Sequence, residues 1–217
     1  AGTLFDHIFI GEGELTFSDF LKNPDFFEFS PIIQCQQADL SLLPSPWLKG
    51  ILDPHKDQTM IFETVRGCPF GCAFCYYAKG AGKLRAFPLE RTEQILRFAY
   101  DNGIRKLYLM DPSFNTHPQF MEVVRRISDY SGFFEIHTEI KADRIGPEWT
   151  DIIRETGLRS AEIGLQTTGK KAREILRFSE NLQPFLDGAG ILRDSGVKIL
   201  TDMMIGLPGD TEKDIQN

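Results

Sequence analysis

Three cysteines at 68, 72 and 75 carry most of the chemistry this sequence offers. They lie in Arg66-Gly-Cys-Pro-Phe-Gly-Cys-Ala-Phe-Cys-Tyr-Tyr77, a Cys-x3-Cys-x2-Cys run that places three thiols within eight residues, with no fourth cysteine nearby. A structural zinc site or an ordinary ferredoxin cluster takes four protein ligands. Three thiolates on a cubane iron–sulfur cluster leave one iron open to an outside ligand, and chemistry can happen at that opening. Zinc is the alternative, completed by His55 or Cys35, neither of which stands at a usual ligand spacing. The spacing also fits one face of a helix. Gly67, Pro69 and Gly71 oppose a helix interior, however, and predict a loop. A loop of this kind can turn backbone N–H groups toward an anionic cluster.

The elements that must position this loop follow from position 58 onward. Apolar, strand-like runs occur at 60–65, 106–110, 133–140, 160–165 and 197–205, with helical patterns at 89–100, 119–130, 147–155 and 182–194 between them. Gly103, Gly132, Gly157 and Gly196 stand where helix-terminating glycines belong, each just before a strand. This βα alternation implies a parallel sheet with right-handed crossovers. A closed eight-strand barrel does not fit the length, whereas an open or truncated one does. Ligands gather at the carboxyl ends of strands in such sheets. Those ends carry the cysteine loop, Asp111, Glu139, Gln166 and the Gly206-Leu-Pro-Gly209 turn, which are therefore expected to share one mouth.

The residues before position 58 read differently. A strand at 5–11 and a short helix at 14–22 cannot bury their faces alone, and read as the last βα unit of an upstream domain. Residues 23–57, rich in proline, read as a linker or wrap-around segment. The expected organisation is thus 1–22, the end of an N-terminal domain; 23–57, a linker; and 58–217, the core domain.

Composition narrows the function classes. With 217 residues and 41% hydrophobic content the chain can bury a full core. A net charge of −7 and the lack of a long Lys/Arg run give no support for a nucleic-acid partner. No apolar run of membrane-spanning length and no basic-then-apolar leader is seen, so no membrane partner is expected. Clustered thiols without a secretory signal point to a cytoplasmic protein, with Cys35 an ordinary thiol.

In these residues the chain resembles the radical S-adenosylmethionine (SAM) superfamily. Cys68-x3-Cys72-x2-Cys75, with the aromatic Phe74, is similar to the family's cluster motif. Four later segments match in order: Leu107-Tyr-Leu-Met-Asp-Pro-Ser-Phe114, Glu135-Ile-His-Thr-Glu139, Ile163-Gly-Leu-Gln166 and Asp202-Met-Met-Ile-Gly-Leu-Pro-Gly-Asp-Thr211. The fold implied is a partial (β/α)6 TIM-type barrel, truncated after its fifth strand. The last segment is typical of the branch that includes oxygen-independent coproporphyrinogen dehydrogenase and cobalamin-dependent radical enzymes. Asp6-His-Ile-Phe-Ile-Gly-Glu-Gly-Glu14 resembles the end of the Rossmann-like cobalamin-binding domain of one subgroup, so cobalamin is implied for a longer parent protein. Asp53-Pro-His-Lys-Asp-Gln58 imitates the cobalt-ligating motif but lacks its glycine, and His55 reads as a surface loop residue.

The resemblance implies a [4Fe–4S] cluster on Cys68, Cys72 and Cys75. Its reduced form cleaves SAM to a 5′-deoxyadenosyl radical that acts on a substrate the sequence does not specify. It implies Phe74 and Tyr77 at the adenine, Asp111 and Ser113 near the SAM amino group, and Glu139 and Gln166 at the ribose. Arg177 is the candidate for the SAM carboxylate, and Asp202 belongs to the fifth-strand segment. The family's Gly-Gly-Glu signature is replaced by Met110-Asp-Pro-Ser113. A flavodoxin- or ferredoxin-type reductant is the implied partner. The reaction implied is a cobalamin-dependent methylation or rearrangement. The alternatives are a cobalamin-independent enzyme such as a methylthiotransferase and, more remotely, a zinc-binding interaction module. His117, Asn115 and His137 stay open between the pocket and a cap or core role. A chain cut in the fifth helix is expected to expose its last strand and to associate.

Overall fold

The computed structural model describes residues 4–27, 31–77, 83–178 and 181–216. The chain forms two compact units, Ala1–Leu43 and Pro44–Asn217.

In the smaller unit, β1 (Ile8–Ile10) leads into α1 (Gly13–Lys22), a 3-10 turn at Pro24–Phe27 and β2 (Ile32–Gln34). β2 pairs in parallel with β1, Phe9 lying opposite Ile33. A parallel pair requires a crossover, which α1 supplies. Phe9 holds α1 through edge contacts to Phe17 and Phe20, with ring centroids 5.3 and 5.4 Å apart. β2 lies in the stretch read from sequence as irregular. Its three residues are too few to show an alternation.

The larger unit begins with the short α2 (Pro54–Asp57), then β3 (Thr59–Phe62), β4 (Val65–Arg66), β5 (Arg85–Ala86) and α3 (Leu89–Asp101). It continues with β6 (Lys106–Leu109), α4 (Phe120–Ser128), β7 (Glu135–Glu139), α5 (Trp149–Thr156) and β8 (Leu158–Gln166). The short α6 (Lys170–Ile175), α7 (Gln183–Asp194), β9 (Lys198–Met203) and α8 (Glu212–Gln216) complete it. Five strands form one sheet in the order β3-β6-β7-β8-β9, and every neighbouring pair is parallel. Each βα step adds its strand beside the last, as in the wall of a TIM-type barrel. Gly103, Gly132, Gly157 and Gly196 take φ of 71°, 78°, 73° and 81°, the left-handed conformation that ends each helix.

The period of two along the strands separates two faces. Met60, Phe62, Leu107, Leu109, Ile136, Ala161 and Ile163 are buried with Ile95 and Leu96 of α3, Val123, Val124 and Ile127 of α4, and Ile152 and Ile153 of α5. Burying each large side chain of this kind contributes about 1.5–3 kcal/mol. Trp47 joins this core, and its indole N–H donates to the Ile61 carbonyl at 2.8 Å on the outermost strand. The other face is polar. Register places Ile61, Tyr108, His137, Ser160 and Lys198 in one row across the sheet, then Glu139, Glu162 and Leu200, then Gly164 and Asp202. Among the described residues, no helix is long and apolar enough to cross a membrane.

Candidate active site

The cysteine loop follows β4, which lies outside the five-stranded sheet. β5 closes its far end by pairing antiparallel with β4, Val65 opposite Ala86 and Arg66 opposite Arg85. Gly67 makes this closure possible. Its φ is +97°, and a Cβ there would lie 2.7 Å from the Lys83 carbonyl oxygen. The Gly67 N–H donates to the Tyr77 hydroxyl at 3.1 Å. The Ala73 N–H donates to the Leu176 carbonyl at 3.0 Å, tying the loop to the turn after α6, and the Cys75 N–H donates to the Cys72 carbonyl at 3.1 Å. Phe74 packs on Phe178, ring centroids 6.5 Å apart.

Cys68, Cys72 and Cys75 are free, half-buried thiols. Burial pushes the Cys68 thiol up, opposed by the Phe70 N–H and the Lys141 charge and reinforced by Cys75 and Glu139. Burial likewise pushes Cys72 up, with Lys141 opposing and the other two thiols reinforcing. Among the described residues, no three His, Cys, Asp or Glu side chains draw together around a point as a single metal ion requires. The donor set of three soft sulfurs on a backbone-anchored loop suits an iron–sulfur cluster.

The other expected residues divide into two groups. Asp111 follows β6 and is fully buried. Its carboxylate accepts from the Thr64 N–H at 2.7 Å, the Val65 N–H at 3.1 Å and the Thr64 hydroxyl. Burial pushes its pKa up to about 6 against these donors. Asp111 therefore braces the strand leading into the cysteine loop. Ser113, also buried, donates to the Asn115 side-chain oxygen at 3.2 Å. His117 is buried beside them: its Nδ1 accepts from the Gln119 N–H at 2.9 Å, which leaves Nε2–H to donate to the Thr64 carbonyl at 3.2 Å. Burial lowers its pKa, in keeping with a neutral ring.

Among the described residues, Glu139 has no such hydrogen-bond partner. It ends β7, half-buried, and its pKa is raised first by desolvation and then by the charges of Glu162, Asp202 and Asp111. His137, two residues earlier on the same face, lies 2.7 Å from the Ser160 hydroxyl and 3.3 Å from Glu162 Oε1, with Tyr108 packed edge-on at 4.6 Å. Gln166 ends β8 at φ +66° and is buried. A bulge in the β8–β9 pairing falls between Gly164 and Gln166. The Gln166 amide folds back over Gly164, where a Cβ would lie 2.6 Å from its nitrogen. Asp202 is exposed on β9. Arg177 is exposed, at φ +57°, directly after the Leu176 carbonyl that receives Ala73.

Two basic residues were not marked by the sequence. Arg173 on α6 is buried and donates to the Thr167 carbonyl at 3.0 Å, its guanidinium 5.2 Å from the Phe178 ring. Lys141, two residues beyond Glu139, holds its ammonium 3.9 Å from the Phe178 ring centroid and 4.9 Å from that of Phe70. The one available signal was a lysine just past a strand-ending carboxylate.

The Radical SAM superfamily model matches residues 62–217, and the chain belongs to that superfamily. The family uses a [4Fe–4S] cluster and SAM. The chain is 30% identical over 95 residues to 2-(S-pantetheinyl)-carbapenam-3-carboxylate methyltransferase of Streptantibioticus cattleyicolor, covering 40% of this chain and 14% of the relative. It is 23% identical over 215 residues to tRNA-2-methylthio-N(6)-dimethylallyladenosine synthase of Prosthecochloris aestuarii, covering 90% of this chain and 48% of the relative. The chain thus spans less than half the length of these two relatives. In fold it is similar to the cobalamin-dependent SAM radical enzyme OxsB, solved with aqua-cobalamin and SAM bound. There the TM-score is 0.64 at 18% identity, over 92% of this chain and 34% of that one.

Proposed function

We propose that this chain carries the cluster- and SAM-binding part of a radical SAM enzyme, with the cluster on Cys68, Cys72 and Cys75. The observation that carries this reading is the cysteine loop. Three free, half-buried thiols share one loop, pinned at both ends by the β4–β5 pair and at its middle by Leu176, beside the carboxyl ends of a parallel sheet. When bound, a cluster of this kind supplies the electron for reductive cleavage of SAM. The chain's own residues hold and orient. Glu139 offers a half-buried acceptor for the ribose hydroxyls, and Gln166 offers an amide beside it. Phe74 and Tyr77 flank the thiols with aromatic surface for the adenine. Asp111 and Ser113 fix the wall near the SAM amino group, and Arg177 and Asp202 stand at the rim. Residues 1–22 are read as the end of a cobalamin-binding-type domain, 23–57 as a linker and 58–217 as the radical SAM core.

The methyltransferase relative and the cobalamin-bound neighbour support methyl transfer assisted by cobalamin in the parent protein. The 2-methylthio synthase relative supports methylthio transfer as the second reading. A flavodoxin- or ferredoxin-type reductant and a cytoplasmic setting complete the proposal.

Anaerobic reconstitution with iron and sulfide tests it. About four irons and four sulfides per chain are expected, with an electron paramagnetic resonance signal that changes when SAM is added. Cys72→Ala should lose the cluster, whereas Cys35→Ala should keep it. A full cluster in Cys72→Ala, or zinc in place of iron in the purified wild type, would overturn the reading.

A further inference from the structure

Lys141 belongs to neither ribose nor adenine surfaces, yet the molecule holds it in place with unusual care. Its backbone is clamped by the Asn115 side chain, whose amide nitrogen donates to the Lys141 carbonyl at 2.9 Å while its oxygen accepts from the Lys141 N–H at 3.0 Å. The aliphatic stem is largely covered, the side chain being 18% exposed. The ammonium sits between two rings, 3.9 Å from the Phe178 centroid and 4.9 Å from that of Phe70. Phe70 is itself part of the cysteine loop, between Cys68 and Cys72. The nearest counter-charge is Asp143 Oδ1 at 3.9 Å. The Arg144 guanidinium also lies 5.2 Å from the Phe70 ring.

We propose that Lys141 is a preorganised cation that sets the reduction potential of the cluster held by Cys68, Cys72 and Cys75. The physical reason is charge balance. Three thiolates and a reduced cluster concentrate negative charge at a half-buried loop, and each electron added deepens it. A fixed positive charge lowers the energy of the reduced state more than that of the oxidised state, because the interaction scales with the product of the charges. Net charge and solvent exposure around a cluster are established levers on its potential. The ring pair holds the ammonium near the loop, with the Asp143 carboxylate 3.9 Å away. Lys141 is a positioning residue in this scheme, acting through the cluster.

The inference rests on the cluster assignment, and the experiment separates the two. Reconstituted wild type, Lys141→Met, Lys141→Arg and Asp143→Asn are titrated with a redox mediator series while the reduced-cluster paramagnetic signal is followed, with iron content measured on each. Lys141→Met keeps the stem between the rings and removes the charge, so its midpoint potential should fall. Lys141→Arg should restore the wild-type value. Asp143→Asn removes the counter-charge and should move the midpoint upward. If wild type forms no four-iron cluster, the cluster assignment fails. If wild type and Lys141→Met load equally and share one midpoint potential, the role given to Lys141 is wrong. If Lys141→Met loses iron but Lys141→Arg does not, the relative midpoints of Asp143→Asn and wild type decide. An upward shift supports the electrostatic role, and identical values overturn it.

Discussion

Two carboxylates end neighbouring strands of the sheet, and their surroundings could hardly differ more. Asp111, after β6, is fully buried with three donors on its oxygens, all from Thr64 and Val65. Glu139, at the end of β7, is half-buried with no hydrogen bond to its carboxylate among the described residues, and it faces Glu162 and Asp202. Burial raises the pKa of both. In one case the protein has already used the acceptor to hold its own backbone. In the other it keeps an acceptor free at a strand end, where only an incoming donor can satisfy it. A buried polar group with all its partners is architecture, and an acceptor lacking them at a strand end is a candidate binding group.

The sharpest way to break this distinction is to remove each carboxylate in turn. Asp111→Ala strands two buried N–H groups and a hydroxyl, at about 1–3 kcal/mol apiece. A loss of about 3 kcal/mol or more in urea unfolding is expected. Glu139→Gln removes a desolvated charge among other carboxylates, so its stability should be no lower than wild type. Equal stability losses in the two variants would erase the contrast.

SAM affinity should rank the pair the opposite way. Glu139→Gln and Gln166→Ala should each weaken SAM binding to the reconstituted protein by about 1–3 kcal/mol, the cost of one buried hydrogen-bond partner. A conservative Asp111→Asn that remains folded should bind within a few-fold of wild type. Calorimetric titration of SAM measures all three, and normal binding by Glu139→Gln and Gln166→Ala together would remove the ribose assignment.

A further effect is one of pH. The folded Asp111 carboxyl keeps its proton up to about 6, while the unfolded one releases it near 3.8. Between those values the folded state holds the extra proton, so this group's contribution to stability falls as pH rises through the window. Asp111→Asn should flatten that part of the stability–pH curve. A curve of unchanged slope between pH 4 and 6 would show that Asp111 is ionised throughout.

How much of this was legible beforehand depends on distance along the chain. The five parallel strands and their helices were visible because each announces itself locally, through alternation and a terminating glycine. The cysteine loop was visible because its three sulfurs lie within eight residues. The fate of Asp111 was not, since its partner Thr64 is 47 positions away and no period links them. Lys141 escaped notice for the same reason, as its ring partners Phe70 and Phe178 flank it from remote segments. β4 and β5 are two residues each, too short for any pattern. Sequence spacing marked candidate ligand positions, and only packing could show which polar groups were already hydrogen-bonded.

The fold-back of Gln166 onto Gly164 has a historical consequence. A side chain at 164 and the amide at 166 compete for one space, since a Cβ would come within 2.6 Å of that nitrogen. A side chain at 164 therefore requires the Gln166 amide, the far end of a flexible side chain, to swing aside. A lineage could shorten residue 166 first and enlarge 164 afterwards, but the reverse order passes through an intermediate with a displaced amide.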